Sequence, residues 1–377
     1  MLVFHSPLSL THDPPYEILS GCAQPYFESP QRYHRILAAL LASPAFEERR
    51  LDWRTDEVVT AELLRAVRAV HDEEYLAFLE EIYDEWIAEG GSKDAALPET
   101  FLRQDLLLQP SDGTEGRGSA IARIGRYSFD LSAPVTADTW TAALASTRVA
   151  LTALEALTAA DAAHQATFAL CRPPGHHATD ALCGGYCYLN SAAIAARHFQ
   201  SQRAIQAGQG ASRPRVAILD IDYHHGNGTS KIFWNDASVL YCSLHGSPDY
   251  PYYTGAASEL GGPDARGLNV NYPLPLGTDD AAYLHALTQA VQRVNEFEPE
   301  LLVVSLGVDT FRDDPLTQFD LSLEAYPEMG RVIGAMGVQT LFVMEGGYCL
   351  DAIGECVRGV LEGFETGAAD LVARQSQ

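Results

Sequence analysis

Five short apolar runs constrain this chain more than any other feature. Thr167 to Cys171, Val216 to Asp222, Val239 to His245, Leu301 to Leu306 and Thr340 to Met344 are rich in Val, Ile, Leu or Phe and lack regular polar alternation. A half-exposed strand alternates apolar and polar residues, whereas a strand covered on both faces does not. The runs therefore predict a parallel sheet buried between two helical layers. Helical patterns fill the intervals, at Trp140 to Leu157, Asn190 to Phe199, Ala281 to Phe297 and Leu323 to Met336. Strand then helix, repeated, is an α/β doubly wound architecture.

The first third differs. Gln31 to Leu41 and Glu62 to Ile82 read as helices. Residues 90–130 carry Gly-Gly, Pro-Ser-Asp-Gly and Gly-Arg-Gly, and read as one long loop of functional length. Gln200 to Pro214 reads as an exposed connection. The sequence has no internal repeat and no separating linker, so residues 1–377 are expected to form a single domain.

Fifty acidic side chains against 25 basic ones leave a net charge of -25. Such a field repels phosphate backbones, so nucleic acid is not an expected partner, and it attracts cationic small molecules. Solubility alone would also account for the charge. The chain has no apolar run of about 18 residues, so no membrane span is expected. Its start, MLVFHSPLSL, lacks the form of a secretory signal. Seven scattered cysteines suit reduced thiols and a cytoplasmic location.

In parallel α/β sheets, ligands bind outside the carboxyl ends of the strands. The unusual polar residues of this chain fall there. The run from Val216 ends in Asp220, Asp222 and His224, spaced by two and so on one face if extended. Two carboxylates and an imidazole together call for a cation. The other reading is a hydrogen-bond network at a strand end. Asp309 follows the run from Leu301 and would complete three protein ligands with an open fourth position, as in catalytic zinc sites. Alone it would be a helix or turn cap. His176 and His177 follow Pro-Pro-Gly in a rigid turn and can move protons near neutral pH. Gly346 and Gly347 permit close backbone approach, and Tyr348 offers a hydroxyl. Cys183 and Cys187 have no second cysteine pair for a structural zinc, so Cys187 reads as a small buried residue.

PPGHHA (173–178), GGYCYLN (184–190), DIDYHHGNG (220–228), SLH (243–245), SLGVDTFRDDP (305–315) and EGGY (345–348) occur in this order. Together they resemble the histone deacetylase and acetylpolyamine amidohydrolase superfamily, nearest to bacterial acetylpolyamine amidohydrolases and class II histone deacetylases. Weaker similarity extends to Glu28-Ser-Pro-Gln-Arg32 and Val70-His-Asp72. The resemblance implies an arginase/deacetylase-like α/β domain, with long loops at the strand ends, that removes acetyl groups from amines using zinc. Zinc would be held by Asp222, His224 and Asp309. His176, paired to Asp220, and His177, paired to Asn227, would be the tandem histidines, and Tyr348 the catalytic tyrosine. Tyr186 and Tyr250, with Gly185 and Gly346, would bind the acyl-amine chain. Arg32 would lie in an inner cavity through which acetate leaves. A potassium ion would be held by Asp220, Ser243 and the carbonyls of Asp222, His224 and Leu244.

The substrate implied is a small acetylated diamine or polyamine. The acids such enzymes carry on the long loop are missing at the corresponding Ile121, Arg123 and Ser132, although Asp112 and Glu115 lie in that loop. Arg123 could instead recruit a carboxylate-bearing substrate. The 90–130 segment is expected to shape the channel mouth and support a homo-oligomer, a dimer or larger. The competing readings are a class II-type protein acetyl-lysine deacetylase, an arginase-like ureohydrolase with two manganese ions, and an inactive module that binds acetylated ligands.

Overall fold

The computed structural model describes residues 1–103, 119–159, 164–208 and 212–375. Eight strands form one sheet: β1 (Leu2–His5), β4 (Glu47–Arg50), β5 (Ala166–Ala169), β6 (Val216–Asp220), β7 (Val239–Gly246), β8 (Asn269–Leu274), β9 (Leu301–Leu306) and β10 (Thr340–Met344). Their spatial order is β4-β1-β5-β10-β9-β6-β7-β8, and every pairing is parallel. A small antiparallel hairpin, β2 (Glu17–Leu19) with β3 (Cys22–Gln24), stands apart. This is the α/β fold that the five apolar runs predict.

Successive strand residues point to opposite faces, and the core divides accordingly. Ile218, Val303, Leu341 and Val343 pack on one side with the helices Ala61–Arg68, Glu73–Ala88, Thr139–Thr158 and Ser191–Ala207. Leu219, Val304, Phe342 and Met344 pack on the other with Pro30–Leu41, Asp280–Phe297, Ala325–Gly334 and Ile353–Gln375. Both faces of the central strands are therefore dry, and their carboxyl ends are where polar groups can gather. No helix among the described residues is long and apolar enough to cross a membrane.

Several local readings need correction. Glu62 to Ile82 is two helices, not one. They part where buried His71 turns inward to accept the Asn190 N–H at Nε2, 3.0 Å away. The 90–130 segment contains the helix Ala120–Tyr127, capped where the Ser119 side chain accepts from the Ala122 N–H. Most of its supposed loop signals, with Asp112 and Glu115, lie outside the described residues. Part of the connection after Gln200 is helical, since Ser191–Ala207 runs through it. The strands β1, β4 and β8 and the carboxyl-terminal helix escaped the pattern reading. β1 and β4 have only four residues each, too few to display a period.

Candidate active site

The strands β5, β10, β9 and β6 are neighbours at the centre of the sheet, so the four segments leaving their carboxyl ends converge. From the end of β6 come Asp222 and His224, and from the end of β9 comes Asp309. His224 Nδ1 lies 3.2 Å from Asp222 Oδ1 and 3.0 Å from Asp309 Oδ2. The three ligand-type atoms all fall within 4.8 Å of one another, and both carboxylates are fully buried. Gly346, at the end of β10, covers the pair and donates its N–H to Asp222 Oδ2 at 2.8 Å. A Cβ there would sit 2.5 Å from Asp309 Oδ2 and 2.6 Å from Asp222 Oδ2, so only glycine fits.

The charges of this trio point to a cation. Burial alone would lower the basicity of His224, yet hydrogen bonds that its ring donates to Asp222 and Asp309 push its pKa up to about 10. Two buried carboxylates thus use one protonated imidazole as their counter-ion, with a mutual repulsion that, after burial, raises Asp309. A divalent cation fits the same donor set better. It neutralises both acids and needs an imidazole nitrogen and carboxylate oxygens, which zinc accepts. Two other groups of three ligand-type residues exist among the described residues. Glu62, Glu155 and His198 have both acids exposed, and His176, Cys187 and Glu345 are fully buried.

The tandem histidines hang from the turn after β5. The backbone N–H groups of Gly175 and His176 both donate to Glu345 Oε2, at 2.7 and 3.1 Å. The two imidazole rings lie 4.0 Å apart between centroids but have different partners. His176 Nδ1 donates to Asp220 Oδ2 at 3.1 Å, and His176 Nε2 is 3.7 Å from Asp222 Oδ1. Burial opposes its charge, but Asp222 and Asp220 outweigh burial and hold its pKa well above the ordinary value. His177 Nδ1 donates to the neutral Asn227 Oδ1 at 2.7 Å. Burial first, then the charges of His176 and His224, keep the pKa of His177 well below the ordinary value. Adjacent residues are therefore pushed toward opposite protonation states.

His177, His224, Tyr186, Tyr250 and Tyr348 line one open cleft of about 430 Å³. Gly185 and Tyr186 both adopt left-handed backbone, φ 52° and 67°, which lets this turn pass close to His177 while its ring joins the wall. The Tyr250 ring stands edge-on to His177, 5.1 Å between centroids, and to His224, 5.7 Å. Tyr348 is 7 % exposed and packs 5.5 Å from the Tyr186 ring, and its backbone N–H donates to Asp314 Oδ2 at 2.6 Å.

Arg32 is buried behind Tyr348, its guanidinium carbon 4.9 Å from the ring centre. Its donors go to Glu28 Oε1 (2.6 Å) and to the carbonyls of Gly347 (2.6 Å) and Glu345 (2.5 Å). Asp220 pairs in register with Ser243 on β7 and Ser305 on β9, while the Leu244 side chain is in the core. Cys187 is a buried thiol whose pKa burial pushes well up, as its reading as a packed residue requires.

Arg123 does not face the cleft as a recruiting cation. It is bound to Glu85 and, at 3.2 Å, to Glu81 on the neighbouring helix. Pattern reading also missed five acids: Glu17, Asp130, Asp249, Asp314 and Glu345. Glu345 and Asp314 both lie within flagged motifs. Glu17, Asp130 and Asp249 stand alone in the sequence and carry no local signal.

The chain is similar to known proteins over nearly its whole length. The family described as Histone deacetylase domain matches residues 26–364. Acetylpolyamine amidohydrolase 2 of Pseudomonas aeruginosa is 42% identical over 368 residues, covering 97% of this chain and 99% of that protein. Acetylpolyamine amidohydrolase of Mycoplana ramosa is 40% identical over 350 residues, covering 92% and 94%. The crystal structure of acetylpolyamine aminohydrolase from Burkholderia pseudomallei superposes with a TM-score of 0.84 at 35% identity, covering 97% of this chain and 99% of that one.

Proposed function

The chain belongs to the histone deacetylase domain family, and on that premise we propose that it hydrolyses the acetyl amide of small N-acetylated amines, foremost diamines and polyamines. The products are acetate and the free amine. One observation carries this reading: His224, in contact with buried Asp222 and Asp309, lines the same cleft as His177 and Tyr348.

Asp222, His224 and Asp309 would hold one zinc ion. When bound, zinc supplies Lewis-acid polarisation of the acyl carbonyl and makes water acidic enough to attack near neutral pH. His177 is the proton carrier. Its Nδ1 hydrogen is committed to Asn227, so Nε2 is free to take a proton from the attacking water. The same proton is then delivered to the nitrogen of the leaving amine. Asn227, being neutral, orients the ring without making it as basic as a carboxylate would. Tyr348 donates its hydroxyl to the oxyanion that develops on the former carbonyl oxygen. His176, held protonated between Asp220 and Asp222, balances negative charge beside the reacting centre.

Further assignments rest on family likeness and position. Asp220, Ser243 and the carbonyls of Asp222, His224 and Leu244 would hold a potassium ion. Arg32 would mark the acetate exit, with Gly185 and Gly346 shaping the cleft floor. Residues 1–377 would act as one cytoplasmic catalytic domain in a homo-oligomer, with the 90–130 segment at the channel mouth.

The test is kcat/KM of the zinc-loaded protein for acetylputrescine, acetylcadaverine, acetylspermidine and an acetyl-lysine peptide at two salt concentrations. The small amines are expected to be better substrates, most clearly at low salt. A peptide that wins at both concentrations would make this a protein deacetylase. No turnover of any of them would leave only a binding module.

A further inference from the structure

One group of ligand-type side chains lies away from the cleft and has no part in the proposed reaction. Glu62 on the helix Ala61–Arg68, Glu155 on Thr139–Thr158 and His198 on Ser191–Ala207 bring two carboxylates and an imidazole within 4.8 Å of one another. This is the donor set of the catalytic trio, rebuilt from three helices on one face of the sheet. Glu155 stands one turn before the end of its helix, which leads into the amino end of β5. The group therefore lies away from the carboxyl ends of the strands, where Asp222, His224 and Asp309 meet.

Burial and charge set it apart from an ordinary acidic surface. His198 is only 7 % exposed, yet among the described residues its ring has no close partner. Its Nε2 is 3.9 Å from Glu155 Oε1, and Gln202 Nε2 comes no nearer than 3.5 Å. Burial holds its pKa below the ordinary value, so near neutral pH the ring offers a lone pair rather than a positive charge. Burial, and then Glu62, push Glu155 upward. Arg148, whose charge reaches Glu155, is engaged elsewhere: it lies over the Trp53 ring at 4.2 Å and donates to the carbonyls of Glu57 and Val58. Among the described residues, neither Arg65 nor Arg203 forms an ion pair with these acids; Arg203 lies over the Phe199 ring. A recess of about 40 Å³ opens beside Glu155 and His198, enough for a water molecule.

We infer that Glu62, Glu155 and His198 form a second metal site, which takes zinc and clamps three helices together. One imidazole nitrogen and two carboxylate oxygens suit zinc, with water as the fourth ligand. Ligands of one tetrahedral zinc stand about 3.3 Å apart, so the exposed glutamates need move by only about 1–2 Å. Gln202 Nε2, 3.4 Å from Glu62 Oε1, holds that carboxylate toward the imidazole. Two of the three ligands are exposed, so the ion exchanges, and the isolated protein keeps only its catalytic metal. The inference does not depend on the deacetylase reading.

Equilibrium dialysis of the full-length, zinc-loaded protein against rising free zinc, followed by elemental analysis, counts the ions. A second zinc per chain is expected with a Kd of about 1–10 µM, weaker than an enclosed structural site. Free zinc at about ten times that Kd should raise the melting temperature by a few degrees. Glu62→Gln and Glu155→Gln alter exposed side chains, so both should fold and keep the catalytic metal. In each, the second ion should bind at least about tenfold more weakly and the melting shift should vanish. About a hundredfold excess of magnesium should not displace the ion, because magnesium takes oxygen ligands rather than imidazole. A count that stays at one zinc up to about 100 µM free zinc overturns the inference. So does a second zinc that binds both variants as tightly as wild type. Displacement by magnesium overturns it too, since that would show only the screening of an acidic surface.

Discussion

His177 and Asn227 meet at 2.7 Å between Nδ1 and Oδ1, and this contact orients an imidazole that lines the cleft. The neighbouring pair, His176 with Asp220, uses the same ring nitrogen, at 3.1 Å, with a carboxylate as acceptor. One substitution can convert the first pair into the second. Asn227→Asp should raise the pKa of His177, because a carboxylate favours the imidazolium. The base must be neutral to act, so the acidic limb of the kcat/KM profile should move to higher pH, by about one unit or more. Activity should be lost at pH 6 before pH 8. A limb that stays put in the pH–rate profile would show that His177 is not the base.

Tyr348→Phe should fold and bind metal while kcat falls by about 10²–10³, the usual effect of removing one oxyanion donor. The Tyr348 backbone is held independently of its hydroxyl by Asp314. Melting temperature and metal content should therefore match wild type. A kcat change below about threefold would mean that the hydroxyl does not reach the oxyanion.

Asp309→Ala should abolish metal binding and turnover together, since it leaves one carboxylate and one imidazole where three ligands converge. Metal content by elemental analysis should fall from about one ion per chain to a small fraction of that. Chelation of wild type should lower the melting temperature, because a ligand that binds only the folded state stabilises it. Full activity in rigorously metal-free protein would end this account.

Glu17 makes a prediction about stability. Burial pushes its pKa up to about 7. An acid whose pKa is higher folded than unfolded contributes stability that is complete below the unfolded value and lost as pH rises through the folded one. Between about pH 4.5 and 7, the folded state binds more protons at this position than the unfolded chain. Glu17→Gln keeps an acceptor for Phe27 and Tyr186 but cannot ionise. The variant should melt a few degrees higher than wild type at pH 8 and near wild type at pH 4. Thermal melts across that range would show it, and parallel curves for the two proteins would count against a titrating Glu17.

Local pattern determined much of this protein. The five central strands were legible because continuous apolar runs need only short-range order to be seen. Asp222, His224, Asp309, His176, His177 and Tyr348 were legible because polar residues ending such runs sit where a parallel sheet presents its ligands. What pattern could not show was pairing at a distance. Asp130 reaches Tyr250 across 120 residues, and Arg32 reaches the Gly347 carbonyl across 315. Arg123 read as a mouth residue until the helix Glu73–Ala88 supplied its acids. Sequence by itself thus determined the sheet and the polar residues placed at its strand ends, since hydrophobic periodicity and side-chain type are properties of each segment alone. Tertiary structure alone decided which acids stand behind the cleft walls, because strand order and crossover connections choose which remote segments meet.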